Sequence, residues 1–99
     1  MVLEFEWDGE KSAKNTIKHG ISFDEAKIIF YDPMRHEIMD PIHSIIEERW
    51  KIIGLVGWTV FTVSCTERNG RIRIISARKA DKKEEEEYFY GYGKTNNRH

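Results

Sequence analysis

Asn69-Gly70 stands between two runs in which apolar and polar residues alternate, Thr59 to Arg68 and Arg71 to Arg78. A two-residue type I′ turn needs positive φ at both central positions, and Asn-Gly adopts it readily. The dipeptide therefore predicts a tight antiparallel hairpin, and with it the direction of every side chain on both strands. Counting outward from the turn puts Arg68 opposite Arg71, Thr66 opposite Arg73, Ser64 opposite Ile75 and Thr62 opposite Ala77. Directly opposed residues share a face. The reverse face then holds Phe61, Val63 and Cys65 opposite Arg78, Ser76 and Ile74, with Glu67 opposite Ile72. One face is apolar; the other is polar and cationic.

Arg49 to Val56 reads as a third strand. An even-length loop through Val56-Gly57 or Gly57-Trp58 sends Arg49, Lys51 and Ile53 to the Thr62-Ser64-Thr66 face, and Trp50 and Ile52 to the apolar one. An odd-length loop reverses the assignment. On the even parity, Arg49, Lys51, Arg68, Arg71 and Arg73 share one surface with three hydroxyls and no carboxylate. Charge along the chain is equally lopsided beneath a net of −1. Met1 to Glu48 carries 5 Lys and Arg against 11 Asp and Glu; Arg49 to Lys83 carries 9 against 2; Glu84 to His99 carries 2 against 4. Such a surface suits a polyanion, because Arg forks and Lys ammoniums neutralise phosphates and hydroxyls add sequence-neutral hydrogen bonds. The alternative is an ordinary solvated side of a sheet.

The rest of the chain completes an α+β fold in one domain spanning residues 1–99. Leu3 to Trp7 alternates as a short strand. Asp8 is placed to cap a helix whose apolar face holds Ala13 and Ile17, stopped at Gly20. Ser22 with Glu25 forms a capping box for a second helix that buries Phe23, Ala26, Ile29 and Phe30 and ends at Asp32-Pro33. His36 to Met39 fits an edge strand, and Asp40-Pro41 a turn. Asp81 with Glu84 caps a last helix on which Tyr88 and Tyr92 share a face, before Gly91 and Gly93 fray it and a loose tail begins near Lys94. The longest uncharged stretch, Ile52 to Thr66, is only fifteen residues and contains Gly, Thr and Ser, too short and polar to span a membrane. An acidic N-terminus without a basic-then-apolar leader and a lone Cys65 point to the cytoplasm and exclude a disulfide framework. His19, His36, His43 and His99 lack ligand spacing, so no metal and no cofactor are expected. Cys65, Trp7, Trp50 and Trp58 are read as core or rim residues.

Three segments, FEWDGEKSAKNTIKHGISFDEA, HSIIEERW and TERNGRIRIISARKADKKEEEEY, closely resemble the BrnT family, the toxins of a bacterial type II toxin–antitoxin system. The match runs in order from about Phe5 to Tyr90. It is the combination of FEWD, KHG-x-SF, ERW and RIISAR at these separations that is specific. The resemblance implies a RelE-like antiparallel β-sheet with two N-terminal helices and a C-terminal helix, and a ribonuclease that arrests growth. It also implies neutralisation by a BrnA antitoxin with a DNA-binding ribbon-helix-helix domain, in a heterotetramer that represses its own operon, so that DNA is met only through the antitoxin. Gly9 stands where Pro is common, the loop around Gly57 is short and the tail varies. None of these departures touches the RNA-facing residues.

Cutting RNA without a metal requires an aligned 2′-hydroxyl, stabilised charge on the phosphate, and proton transfer. Arg49, Lys51 and Arg73 are the candidates for the phosphate, with Arg68, Arg71, Thr66 and Ser64 holding flanking RNA. Arg78 points by alternation toward the apolar side, and its place in RIISAR leaves two roles open: an active-site guanidinium, or an ion pair tying down the last helix. His43 is the candidate acid or base, since imidazole titrates near neutrality, with Glu47 to orient it or act alone. Tyr88 could stack on a base, donate a proton or simply pack. A different class of function uses the same face without chemistry, as a module that holds RNA or an acidic protein.

Overall fold

The computed structural model describes residues 2–91. Tyr92, Gly93, His99 and the tail expected from Lys94 lie outside the described residues. The chain folds as β1 (Phe5–Glu6), α1 (Gly9–His19), α2 (Phe23–Ala26), a 3-10 segment (Lys27–Tyr31), β2 (His36–Met39), β3 (Trp50–Val56), β4 (Thr59–Arg68), β5 (Arg71–Lys79) and α3 (Lys82–Glu86), the last continued by a π-helical turn (Glu87–Gly91). The architecture is mixed α+β: three helices and one five-stranded open sheet in the order β1-β5-β4-β3-β2.

The short-range signals form as the chemistry dictates. Asn69 and Gly70 both take positive φ, at 55° and 78°. Gly57 takes φ 64° in the two-residue Gly57-Trp58 turn, so Val56 faces Thr59 and the even parity holds. The Asp8 carboxylate accepts from the Glu10 and Lys11 amides, and the Ser22–Glu25 and Asp81–Glu84 capping boxes are both closed.

Three expectations are corrected. The sheet is not wholly antiparallel: β1 runs parallel to β5, pairing Phe5 with Ile72 and Glu6 with Arg73. A two-residue strand has no pattern that reveals its direction, which is set by the helices that carry the chain away from it. Second, Ala13 and Ile17 do not face the core; Ile17 is 87% exposed, and the packed position is Asn15. Among the described residues, β5 has no strand on its β1 side beyond Arg73. Asn15 fills that gap, donating from Nδ2 to the carbonyls of Ile21 and Ala77, both at 2.8 Å, and accepting from the Ala77 amide at 3.2 Å. Buried backbone groups need such partners, and here a side chain supplies them.

Third, β5 carries a bulge. Cys65 pairs with Ile74 but Ser64 pairs with Ser76, leaving Ile75 as the extra residue. One added residue reverses the parity of everything beyond it. Val63 therefore meets Ala77 and Thr62 meets Arg78. Arg78 is thereby turned from the apolar side onto the face of Thr62.

Both faces of the sheet are covered, one only in part. α1, α2 and the 3-10 segment pack Ile21, Phe23, Ala26, Ile29 and Phe30 against Ile52, Phe61, Val63, Cys65, Ile74 and Ala77. On the opposite face a smaller core joins Ile53, Val60 and Tyr88, flanked by Leu55 and Ala80. The C-terminal helix thus closes one end of the face that the hairpin turns toward solvent. Gly54 lies where the 3-10 segment crosses β3, and a Cβ there would stand 2.8 Å from Ile29 Cγ1.

Candidate functional site

Cross-strand register arranges the polar face in rows. Arg71 lies opposite Arg68; Glu6, Arg73 and Thr66 form the next row; Ser76, Ser64 and Lys51 the next; Arg78, Thr62, Ile53 and His36 the last. Arg49 precedes β3 by one residue and by alternation shares the side of Lys51. The register gives Lys51, Arg68, Arg71 and Arg73 the expected common face and the bulge adds Arg78, while Arg49 joins them by alternation alone.

The face expected to hold no carboxylate is corrected by the fold, which brings four glutamates to its cations. Arg71 pairs with Glu4 at 3.2 Å and Arg73 with Glu6 at 3.2 Å. Glu47 lies between Arg68, at 3.2 Å, and Arg49, at 3.8 Å. Glu84 lies between Arg78, at 2.7 Å, and Lys51, at 3.4 Å. The acidic ends of the chain fold against its basic middle, so the charge asymmetry along the sequence becomes pairing in space. Six cations still share four carboxylates. Pairs as open to water as Arg71–Glu4 contribute little and exchange readily with a competing anion.

Glu84 differs from the other three carboxylates because it is buried. Its Oε1 accepts from Thr62 Oγ1 at 3.0 Å, from the Asp81 amide at 2.9 Å and from Arg78 at 2.7 Å, while Oε2 accepts from Arg78 at 3.0 Å. Burial alone would raise its pKa, but the hydrogen bonds from Arg78, the Asp81 amide and Thr62 prevail and hold it at about 2. The hydrogen bond to Glu84 in turn pushes the Arg78 guanidinium up from its ordinary value, against a burial penalty. Sequence reading treated Glu84 only as a helix cap; its distance to Thr62 and Lys51 depends on strand packing.

The segment between β2 and β3 forms a closed loop. The Asp40 amide donates to the Arg49 carbonyl at 2.8 Å, and Ser44 Oγ accepts from the Arg49 amide at 2.9 Å. Ile42, His43, Ile45, Ile46, Glu47 and Arg49 line an open groove of about 460 Å³ on this loop. Three expected site residues, His43, Glu47 and Arg49, are therefore brought together. His43 Nδ1 lies 2.8 Å from Asp40 Oδ2, and Asp40 is itself held through Oδ1 by the Ile42 and His43 amides. That hydrogen bond to His43 leads the causes that lower the Asp40 pKa, against a smaller burial penalty. The residue that orients His43 is thus Asp40; the Glu47 carboxylate is turned to Arg68 and Arg49. Arg49 Nε is buried without a hydrogen-bond partner, with Glu47 Oε2 too distant at 3.8 Å.

Other expected contacts are withdrawn from the surface. Thr66 is buried and donates to the Glu48 carbonyl at 2.6 Å, and Ser64 is half-buried. Tyr88 is buried in the smaller core and donates to Asp32 Oδ2 at 2.6 Å. Burial, then that acceptor, pushes its phenol up to about 12. Cys65 is buried in the main core, and burial first, then Glu37, raises its thiol to about 12. Among the described residues no group of three or more His, Cys, Asp and Glu side chains is placed to hold a metal ion. No described helix is long and apolar enough to cross a membrane.

A small α+β domain with shared cations across one sheet face, beside an oriented imidazole, is equipped to handle phosphate esters. Comparison with known families identifies the class, since residues 7–84 match the model of the ribonuclease toxins of type II toxin–antitoxin systems. The chain belongs to the BrnT family. No curated protein matches it at a significant level. Membership makes RNA the substrate and implies an antitoxin partner.

Proposed function

We propose that this protein is a cytoplasmic endoribonuclease that cuts RNA without a metal, on the cationic sheet face and the His43 groove beside it. The observation that carries the reading is the meeting of His43, fixed by Asp40, with Arg49 in one open groove. With Nδ1–H donated to Asp40, His43 keeps Nε2 as the basic nitrogen facing outward. It takes the proton of a 2′-hydroxyl as O2′ attacks the adjoining phosphorus. The P–O5′ bond breaks, the departing 5′-oxygen collects a proton from water in the groove, and a 2′,3′-cyclic phosphate is left behind. Arg49 answers the charge that grows on the phosphoryl oxygens, with Lys51, Arg73 and Arg78 on the neighbouring rows. Arg68 and Arg71 hold flanking phosphates. A BrnA-like antitoxin, in a heterotetramer, neutralises the toxin and brings the complex to DNA.

Incubation of the purified protein with RNA in EDTA tests this. Cleavage yields 2′,3′-cyclic ends, and Arg49→Ala and Arg73→Ala each abolish it while keeping the wild-type melting temperature. Cleavage that stops in EDTA refutes the metal-free step. Full activity in both variants refutes the face, and salt-sensitive binding without cleavage leaves only a binding module.

A further inference from the structure

We infer that Glu84 is a positioning residue: from the first turn of α3 it holds the Arg78 guanidinium and the Lys51 ammonium as a fixed pair facing one phosphate of the RNA. The inference rests on the proposed cationic face and goes beyond it, since it assigns the alignment of two of its cations to a carboxylate outside the groove. Both cations contact the same carboxylate, Arg78 through two nitrogens at 2.7 and 3.0 Å and Lys51 at 3.4 Å. The carboxylate cannot swing aside, because Thr62 Oγ1 and the Asp81 amide also hold Oε1. Its side chain is 8% exposed, whereas those of Arg78 and Lys51 are 40% and 34% exposed. The anchor is therefore inside and the donors reach outward.

Tying α3 to the sheet does not by itself call for a buried ion. Tyr88, Val60 and Ile53 already do so with apolar contacts beside it, and a buried ion pair is a weak source of stability compared with apolar packing. What an ionised carboxylate adds is direction. Glu4, Glu6 and Glu47 each contact their arginines from side chains at least 28% exposed, so those arginines can follow the RNA. Arg78 and Lys51 are fixed before RNA arrives. Donors that need not reorganise act most strongly on charge that appears only in the transition state. Arg78 Nη1 is committed to Glu84 and to the Lys79 carbonyl at 3.2 Å, which leaves its Nε and one Nη2 hydrogen, together with two or more Lys51 hydrogens, for a phosphate.

The test is Glu84→Gln, which keeps an acceptor oxygen for Thr62 and Asp81 and removes the charge from the other side. On an RNA oligonucleotide, at a temperature where melting shows the variant fully folded, kcat falls by about 100-fold, the scale of a small misplacement of a reacting group. KM changes by less than about threefold, because flanking cations still bind the strand. In the Glu84→Gln background, Arg78→Ala costs little more, since the two act as one unit. Should Glu84→Gln not fold, Thr62→Val loosens the same carboxylate and lowers kcat with KM unchanged. Wild-type kcat in Glu84→Gln or, where that does not fold, in Thr62→Val overturns the positioning role. So does faster cleavage, or an Arg78→Ala loss that is fully additive. Arg78→Ala and Lys51→Ala each at the wild-type rate count instead against the proposed face. The two failures are thereby separated.

Discussion

Glu4 and Glu6 mask Arg71 and Arg73 one to one, whereas Glu47 and Glu84 are each shared by two cations. About two positive charges are thus uncompensated before RNA binds. Glu4→Gln with Glu6→Gln releases Arg71 and Arg73 and raises that number to about four. Binding to single-stranded nucleic acid weakens with salt as about −0.7 per neutralised phosphate on logarithmic axes, so the slope steepens from about −1.4 to about −2.8. Between 50 and 200 mM salt the advantage of the double variant over wild type shrinks by about sevenfold. Fluorescence anisotropy with a 2′-O-methyl oligonucleotide measures this, since a probe without a 2′-hydroxyl binds but cannot be cut. Circular dichroism establishes that both proteins are folded at each salt concentration. An unchanged slope, with both folded, would refute the reasoning: Arg71 and Arg73 would not meet phosphate, and the strand would run elsewhere.

Four further outcomes are expected. His43→Ala lowers kcat by about 100-fold or more, the ordinary worth of a general base, and Asp40→Asn lowers it by less, as read in single-turnover cleavage. Asn15→Ala leaves the Ile21 carbonyl and both backbone groups of Ala77 without partners and costs about 3 kcal/mol in urea unfolding. Gly54→Ala sets a Cβ 2.8 Å from Ile29 Cγ1 and 3.0 Å from Asp32 Oδ2, costing about 1–3 kcal/mol as read from the melting temperature. The Glu84 carboxyl, held at about 2 against an ordinary 4.5, contributes stability that is complete above about pH 5 and lost as pH falls toward 2. Glu84→Gln flattens the acid limb of the stability curve.

What the chain discloses before folding is what its neighbours in sequence decide. The Asn69-Gly70 turn, the parity at Gly57-Trp58, the capping boxes and the Asp32-Pro33 stop each depend on a few adjacent residues, and all are present. The common side of Lys51, Arg68, Arg71 and Arg73 follows from them. Their partners do not, since Arg71–Glu4 and Arg73–Glu6 each join residues 67 apart. The bulge at Ile75 is equally hidden: nothing in RIISAR marks the extra residue, and the register from Ser64–Ser76 onward reveals it. α1 misled for a different reason. Its apolar residues face water while Asn15 completes β5, a task that hydrophobic periodicity does not encode. In the site, imidazole chemistry pointed to His43, but the turn at Asp40 that orients it read only as a turn.

The pairing of the first strand with the last has a consequence for how the protein comes into being. While a ribosome is still making it, β1 waits without a neighbour until Arg71 to Lys79 have emerged, and long-range pairing of this kind is slow to form. The sheet is therefore not completed until the hairpin that carries Ile72 and Arg73 has been made.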